Sequence, residues 1–274
     1  MVKCYKKKGK CVKFSIILIF FSVLAFAKEY YAKVEPLTID TISSNVNGEI
    51  LLVKKDLIGK KLLNQPYIII DSRLDKIDLN STTKKISILK DMIKFDKEII
   101  KNLEESLERK KINYENIKDL SIKSKVEKDN MFFDLINTKN QLINTKKELQ
   151  NYISQLADLN YKKAKLQKSI KDKTIISQGY VLYDILVKKG QVVNIGTPLS
   201  KVANTKKAIL TIYVDKEDLK NIKAKDVYID GRKTSYKVNR VNYIADSVNL
   251  SKYKVQIIIN PPKIFSNLVK VELK

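Results

Sequence analysis

The chain has 274 residues and contains no His and no Trp. It has only two Cys, five Pro and seven Gly. Without His or a cysteine pair, the common zinc, copper and non-haem iron sites cannot be assembled. The Ser–His and Cys–His pairs of nucleophilic catalysis are excluded on the same ground. Asp, Glu, Lys and Tyr remain, but they gather into no recognisable catalytic motif. The reading is therefore of a protein that is not an enzyme and holds no cofactor or metal. Both cysteines, Cys4 and Cys11, precede the one long apolar run, so a chain cleaved after that run carries none.

Acidic charge is also in short supply. Lys and Arg number 54 against 30 Asp and Glu, a net charge of +24. Such a balance usually points to nucleic acid or an anionic surface. Here the lysines are spread along helical segments and interleaved with acids, as a solvated helix surface requires, and nucleic acid is set aside. The one basic block, residues 6–10, stands before Phe14–Ala27, which is apolar but for two Ser. That run is short of the roughly 20 residues needed to span a bilayer. It ends Ala25-Phe26-Ala27, a small-x-small cleavage pattern, so residues 1–27 read as a secretory signal peptide. An uncleaved inner-membrane anchor is the alternative.

Neither Pro nor Gly occurs between Leu74 and Gln178. Within this span, residues 83–170 carry apolar side chains at alternating steps of three and four. The first series is Ile86, Leu89, Ile93, Asp96, Ile100, Leu103, Leu107, Lys110, Tyr114 and Ile117. The second is Met131, Leu135, Thr138, Leu142, Thr145, Leu149, Tyr152, Leu156, Leu159, Lys163, Leu166 and Ile170. A 3.5-residue repeat is the requirement for two helices to supercoil. Residues 118–130 break the phase, and Ser124 with Glu127 has capping-box spacing, which starts a second helix there. Two arms folded back on each other are expected, with a tip near residues 118–125.

The hairpin is flanked by two similar stretches. Gly48 and Gly59 are eleven apart, as are Gly179 and Gly190. Each pair has a Val-Lys-Lys between its glycines, an apolar residue three after the second Gly (Leu62, Val193), and a Pro shortly after (Pro66, Pro198). Glycine supplies positive-φ turns and close backbone approaches, and proline fixes a turn. Neither half can bury an apolar face alone, so the two should pair, bringing Asp71 near Thr174. Residues 206–273 follow with alternating β-branched segments: 208–214, 227–229, 236–241, 253–259 and 269–273. A short helix capped by Asp215 is expected over 215–222, and Asp230-Gly231 is a hairpin-turn signal. These elements predict a small β-barrel.

The arrangement Gly179-Tyr-Val181…Val187-Lys-Lys-Gly190…Val193…Gly196-Thr-Pro-Leu199, with its partner half and the intervening helices, resembles the HlyD-type membrane fusion proteins. These are periplasmic adaptor subunits of efflux and secretion systems. The resemblance covers roughly residues 34–273. It implies an α+β fold with a long antiparallel coiled-coil hairpin (80–173) inserted in a split lipoyl-like domain (34–74 and 174–204). A small β-barrel (205–274) follows. It implies no lipoate or biotin, because the hairpin occupies the junction where carrier domains place the modified Lys.

The resemblance further implies a homo-oligomer, associated with the inner membrane, that bridges a transporter (an ABC exporter or a proton-driven pump) to an outer-membrane channel of the TolC type. The family's tip motif of Arg, Leu four on and Ser seven further falls on Asn113, Ile117 and Ser124, so its Arg is missing. Ile117, Leu120, Lys123 and Ser124 are the candidate channel contacts, with helix capping an equal role for Ser124. The glycines that the family places after the barrel's short helix and before its last strand are absent, with Ala224-Lys225 and Asn267 at those points. Two other readings stand beside this one: a periplasmic structural coiled-coil protein, and a module that holds anionic envelope polymers on its positive surface.

Overall fold

A computed structural model describes residues 28–245, 249 and 251–274, and the signal-peptide reading lies outside them. Twelve strands and two long helices occur in the order β1 (Glu29–Ser43), β2 (Gly48–Val53), β3 (Ile68–Ile70), α1 (Arg73–Ile117), α2 (Lys125–Asp172), β4 (Thr174–Ile175), β5 (Val181–Ile185), β6 (Val192–Val193), β7 (Pro198–Val214), β8 (Val227–Ile229), β9 (Arg232–Lys233), β10 (Val238–Ala245), β11 (Tyr253–Ile259) and β12 (Leu268–Leu273). The chain divides into two compact units. One is Pro36–Lys206; the other joins the residues up to Glu35 to Lys207–Lys274. The strands β1 and β7 each run from one into the other.

In the unit Pro36–Lys206 the two similar stretches pair with each other. Strand β2 meets β6 through Gly48↔Val193, β3 meets β4 through Ile69↔Thr174, and Lys61 bridges Val181. Their core draws on both halves: Ile50, Leu62, Tyr67, Ile68 and Ile70 from the first, Leu182, Val187, Val193, Leu199 and Val202 from the second. The spacing of eleven has its physical reason in Gly59 and Gly190, which turn the chain with φ of 81° and 83°. Gly48 serves closeness instead, since a Cβ there would lie 2.7 Å from Ile70 Cγ2.

The helices leave and re-enter this core at neighbouring strands. Helix α1 begins at Arg73, earlier than the seam alone indicates. The Asp71 carboxylate accepts the Arg73 backbone N–H at 2.9 Å and so supplies the cap that Ser72 does not. The first turns carry exposed Leu74 and Ile77, which is why no seam is legible there. At the base, Lys173 pairs with Asp75, and Ile70 N–H donates to Lys173 O at 2.8 Å. Helices of 45 and 48 residues are each about 70 Å long at 1.5 Å per residue.

Every seam position named above is buried or half-buried. Antiparallel register is fixed by polar ties across the pair: Lys110 Nζ donates to Asp134 Oδ1 and to Thr138 Oγ1, both at 2.9 Å, and Lys146 pairs with Glu104 at 2.7 Å. Two polar residues on the seam, Lys110 and Thr138, thus satisfy each other.

The second unit is a sheet in the order β10-β11-β7-β1-β12-β8-β9 over a core including Tyr30, Ala32, Leu210, Ile212, Val255, Ile257 and Val271. Asp230 and Gly231, both at positive φ, make the two-residue turn between β8 and β9. Two expectations change. No ladder joins β9 to β10 among the described residues, so the sheet is open and a closed barrel is not shown. Strand β9 is only two residues long, and β10 pairs with β11 in an irregular register. The helix expected over 215–222 is a short 3₁₀ turn, Lys216–Leu219, and Asp215 makes no cap. Its carboxylate is taken by Lys28 and by Lys252, the latter at 2.8 Å.

Candidate functional site: the hairpin tip

Helix α1 loses its seam at Ile117 and closes on the Lys118 N–H, which donates to Tyr114 O at 2.9 Å. A further turn follows, with Leu120 N–H donating to Ile117 O at 3.1 Å. Seven residues, 118–124, separate the helices. The restart is a complete capping box: Ser124 Oγ accepts the Glu127 N–H at 3.2 Å, and Glu127 Oε2 accepts the Ser124 N–H at 3.0 Å. Lys123 Nζ reaches the other carboxylate oxygen of Glu127 at 3.2 Å. These contacts, the Ser124 N–H first and Lys123 next, hold the Glu127 carboxyl below its ordinary range. Behind the turn, Tyr114 and Phe132 brace the two helices with ring centroids 5.5 Å apart, and Phe133 stands against Phe132 at 6.0 Å.

The four candidate contacts are thus gathered at one end of the hairpin, in different surroundings. Leu120 is exposed, and so is the Lys123 ammonium face. Ser124 is engaged in the cap. Ile117 is half-buried and closes the seam. The most exposed apolar side chain at the tip is not among these four. Ile122 is 88% exposed, and Val126 beside it is 68% exposed. The signal for both was available: apolar residues outside the seam's phase in a polar turn have no partner within the chain. Lys118, Lys123 and Lys125 are exposed and lie close to this apolar pair in sequence, Lys118 paired with Glu115 and Lys123 with Glu127. A surface of this kind can dock by burying its exposed apolar side chains. Among the described residues, no three His, Cys, Asp or Glu gather as a metal site, and no helix is long and apolar enough to cross a membrane.

No protein-family model matches the chain, and no curated protein matches its sequence. Solved structures do match its fold. MacA from Actinobacillus actinomycetemcomitans aligns over 90% of this chain and 79% of its own, with a TM-score of 0.68 at 16% identity. The membrane fusion protein Spr0693 from Streptococcus pneumoniae R6 aligns over 90% and 99%, at 0.59 and 11%. A MacA–MexA chimera carrying the Pseudomonas aeruginosa MexA α-hairpin domain aligns over 90% and 81%, at 0.55 and 15%. The chain has the fold of the membrane fusion proteins, in mixed helix and sheet with a long helical hairpin.

Proposed function

We propose that this chain is a periplasmic adaptor of the HlyD type, non-catalytic, exported by its N-terminal segment and held at the inner membrane. Residues 34–74 and 174–204 form one lipoyl-like domain interrupted by the hairpin, and 205–274 form the barrel-like domain. Copies of the chain assemble around a central passage against an inner-membrane transporter, which supplies the energy. The hairpins reach toward an outer-membrane channel of the TolC type, and the chain's work is to bridge and seal. The observation that carries this reading is the reunited pair of half-motifs, with a hairpin projecting from their junction to an exposed apolar tip. Channel contact falls to Leu120, Lys123 and Ile117, with Ile122 added; Ser124 keeps the tip folded and faces the same surface.

The test uses Ile122→Cys, since that side chain has no structural duty and the chain's own cysteines lie at positions 4 and 11. Crosslinking in intact cells should capture an outer-membrane channel. Capture of other copies of this chain alone, in cells that still export, would overturn the bridging role.

A further inference from the structure

The hairpin seam holds a carboxyl group with one buried oxygen left without a partner. Asp96 lies in line with Leu89, Ile93, Ile100 and Leu103, and only 9% of its surface is exposed. Its Oδ2 is buried and meets no hydrogen-bond donor among the described residues. Elsewhere on the seam Lys110 and Thr138 satisfy each other, and Thr145 donates to Gln141 O at 3.0 Å.

What faces Asp96 from α2 makes matters worse for a carboxylate. Glu148 adds a second negative charge, and Tyr152 Oη donates to Glu148 Oε1 at 2.7 Å, so its proton is committed elsewhere. The ion pair next toward the tip, Lys146 with Glu104, is closed on itself. On α1 the neighbouring Lys94 and Lys97 are exposed, and among the described residues no ion pair joins them to Asp96. A charged group removed from water without a partner is disfavoured against its neutral form. Burial accordingly pushes the Asp96 carboxyl above its ordinary value of 3.8, and Glu148 adds to the effect.

We propose that Asp96 is a proton-operated latch, so that the middle of the α1–α2 seam closes when Asp96 is protonated and loosens when it ionises. The sign follows from linkage. The folded hairpin binds this proton more tightly than the unfolded chain does, so local stability rises as pH falls through the folded value. It is complete below 3.8 and is lost as pH rises through the folded value. An acidified compartment therefore stiffens the hairpin, and a neutral one lets its middle open. The proposal is independent of the adaptor reading.

Hydrogen exchange on the full chain tests it, read at residues 92–100 and 145–152 and corrected for intrinsic rates. Protection there should rise by up to about fivefold between pH 7.5 and pH 3.5, the scale of a small buried-polar penalty. Asp96→Asn should lose that dependence. An Asp96→Asn chain with the parent's pH profile, or a parent with a flat one, overturns the latch. Glu148→Gln, at an exposed position, keeps the test alive should Asp96→Asn fold poorly. It should move the parent's transition to lower pH, and an unmoved transition overturns the proposal equally.

Discussion

The Tyr67 hydroxyl lies 2.9 Å from Ser200 Oγ, 133 residues away and fully buried, and 3.1 Å from Ser177 Oγ. One phenol from the first half-motif thus ties together two hydroxyls of the second. Tyr67→Phe removes both bonds and strands Ser200 in an apolar core, at a cost of about 1–3 kcal/mol. Thermal unfolding of the full chain should show a drop of several degrees. Adding Ser200→Ala should recover part of it, because removing both partners of a buried bond costs less than removing one.

Ser124 is predicted to act through its cap. Ser124→Ala should cost about 1 kcal/mol and fray the first turn of α2, visible as faster exchange over residues 125–128. Ser124→Asp keeps an acceptor for the Glu127 N–H and should leave that turn intact. If Ser124→Asp nevertheless abolishes crosslinking through Ile122→Cys, the side chain also belongs to the docking surface.

Gly48 has no room for a side chain against Ile70, which is fully buried. Gly48→Ala should lower stability by about 1–3 kcal/mol, the usual cost of overpacking a core. Gly179→Ala, at the matching place in the second half, meets open space. It should cost only the strain of its positive φ. Chemical denaturation of the two variants side by side checks the asymmetry.

Acid should weaken the unit containing the C-terminal strands. Lys233 and then Lys237 hold the Asp226 carboxyl down at about 2, against an ordinary 3.8. The folded value is the lower one. The contribution is therefore present in full above about pH 4 and is lost as pH falls toward 2. Asp226→Asn should flatten that part of the acid-unfolding curve, and added salt should shrink the difference because these groups are exposed. The direction is opposite to that at Asp96, so a single acid titration read at both places separates the two.

How far the fold was legible depends on how each element is stabilised. The hairpin seam follows a 3.5-residue repeat over nearly ninety residues, and every position in it, Asp96 and Lys110 included, faces the partner helix. The paired halves were legible because turn geometry demands glycine at fixed places, as at Gly59 and Gly190. Strand β1, residues 29–43, is not legible, because its length outruns the short alternation of Tyr30, Ala32 and Val34. The Asp215 cap failed because helix capping competes with ion pairing, and Lys28 and Lys252 are far away in sequence. At the tip, the family's spacing marks Ile117 and Ser124, whereas Ile122 is marked only by being apolar with nothing to pack on.

The hairpin enters and leaves the sheet through Asp71 and Lys173, beside strands that pair as Ile69↔Thr174. The β core therefore does not register how far the helices travel before returning. Removing seven residues from each arm, in matched positions, preserves the seam's phase and shortens the projection by about 10 Å. Reach is in this sense a dial separate from the body that carries it. The same β framework can be fitted to spans of different width by whole heptads, with no rewording of the sequence that makes it fold.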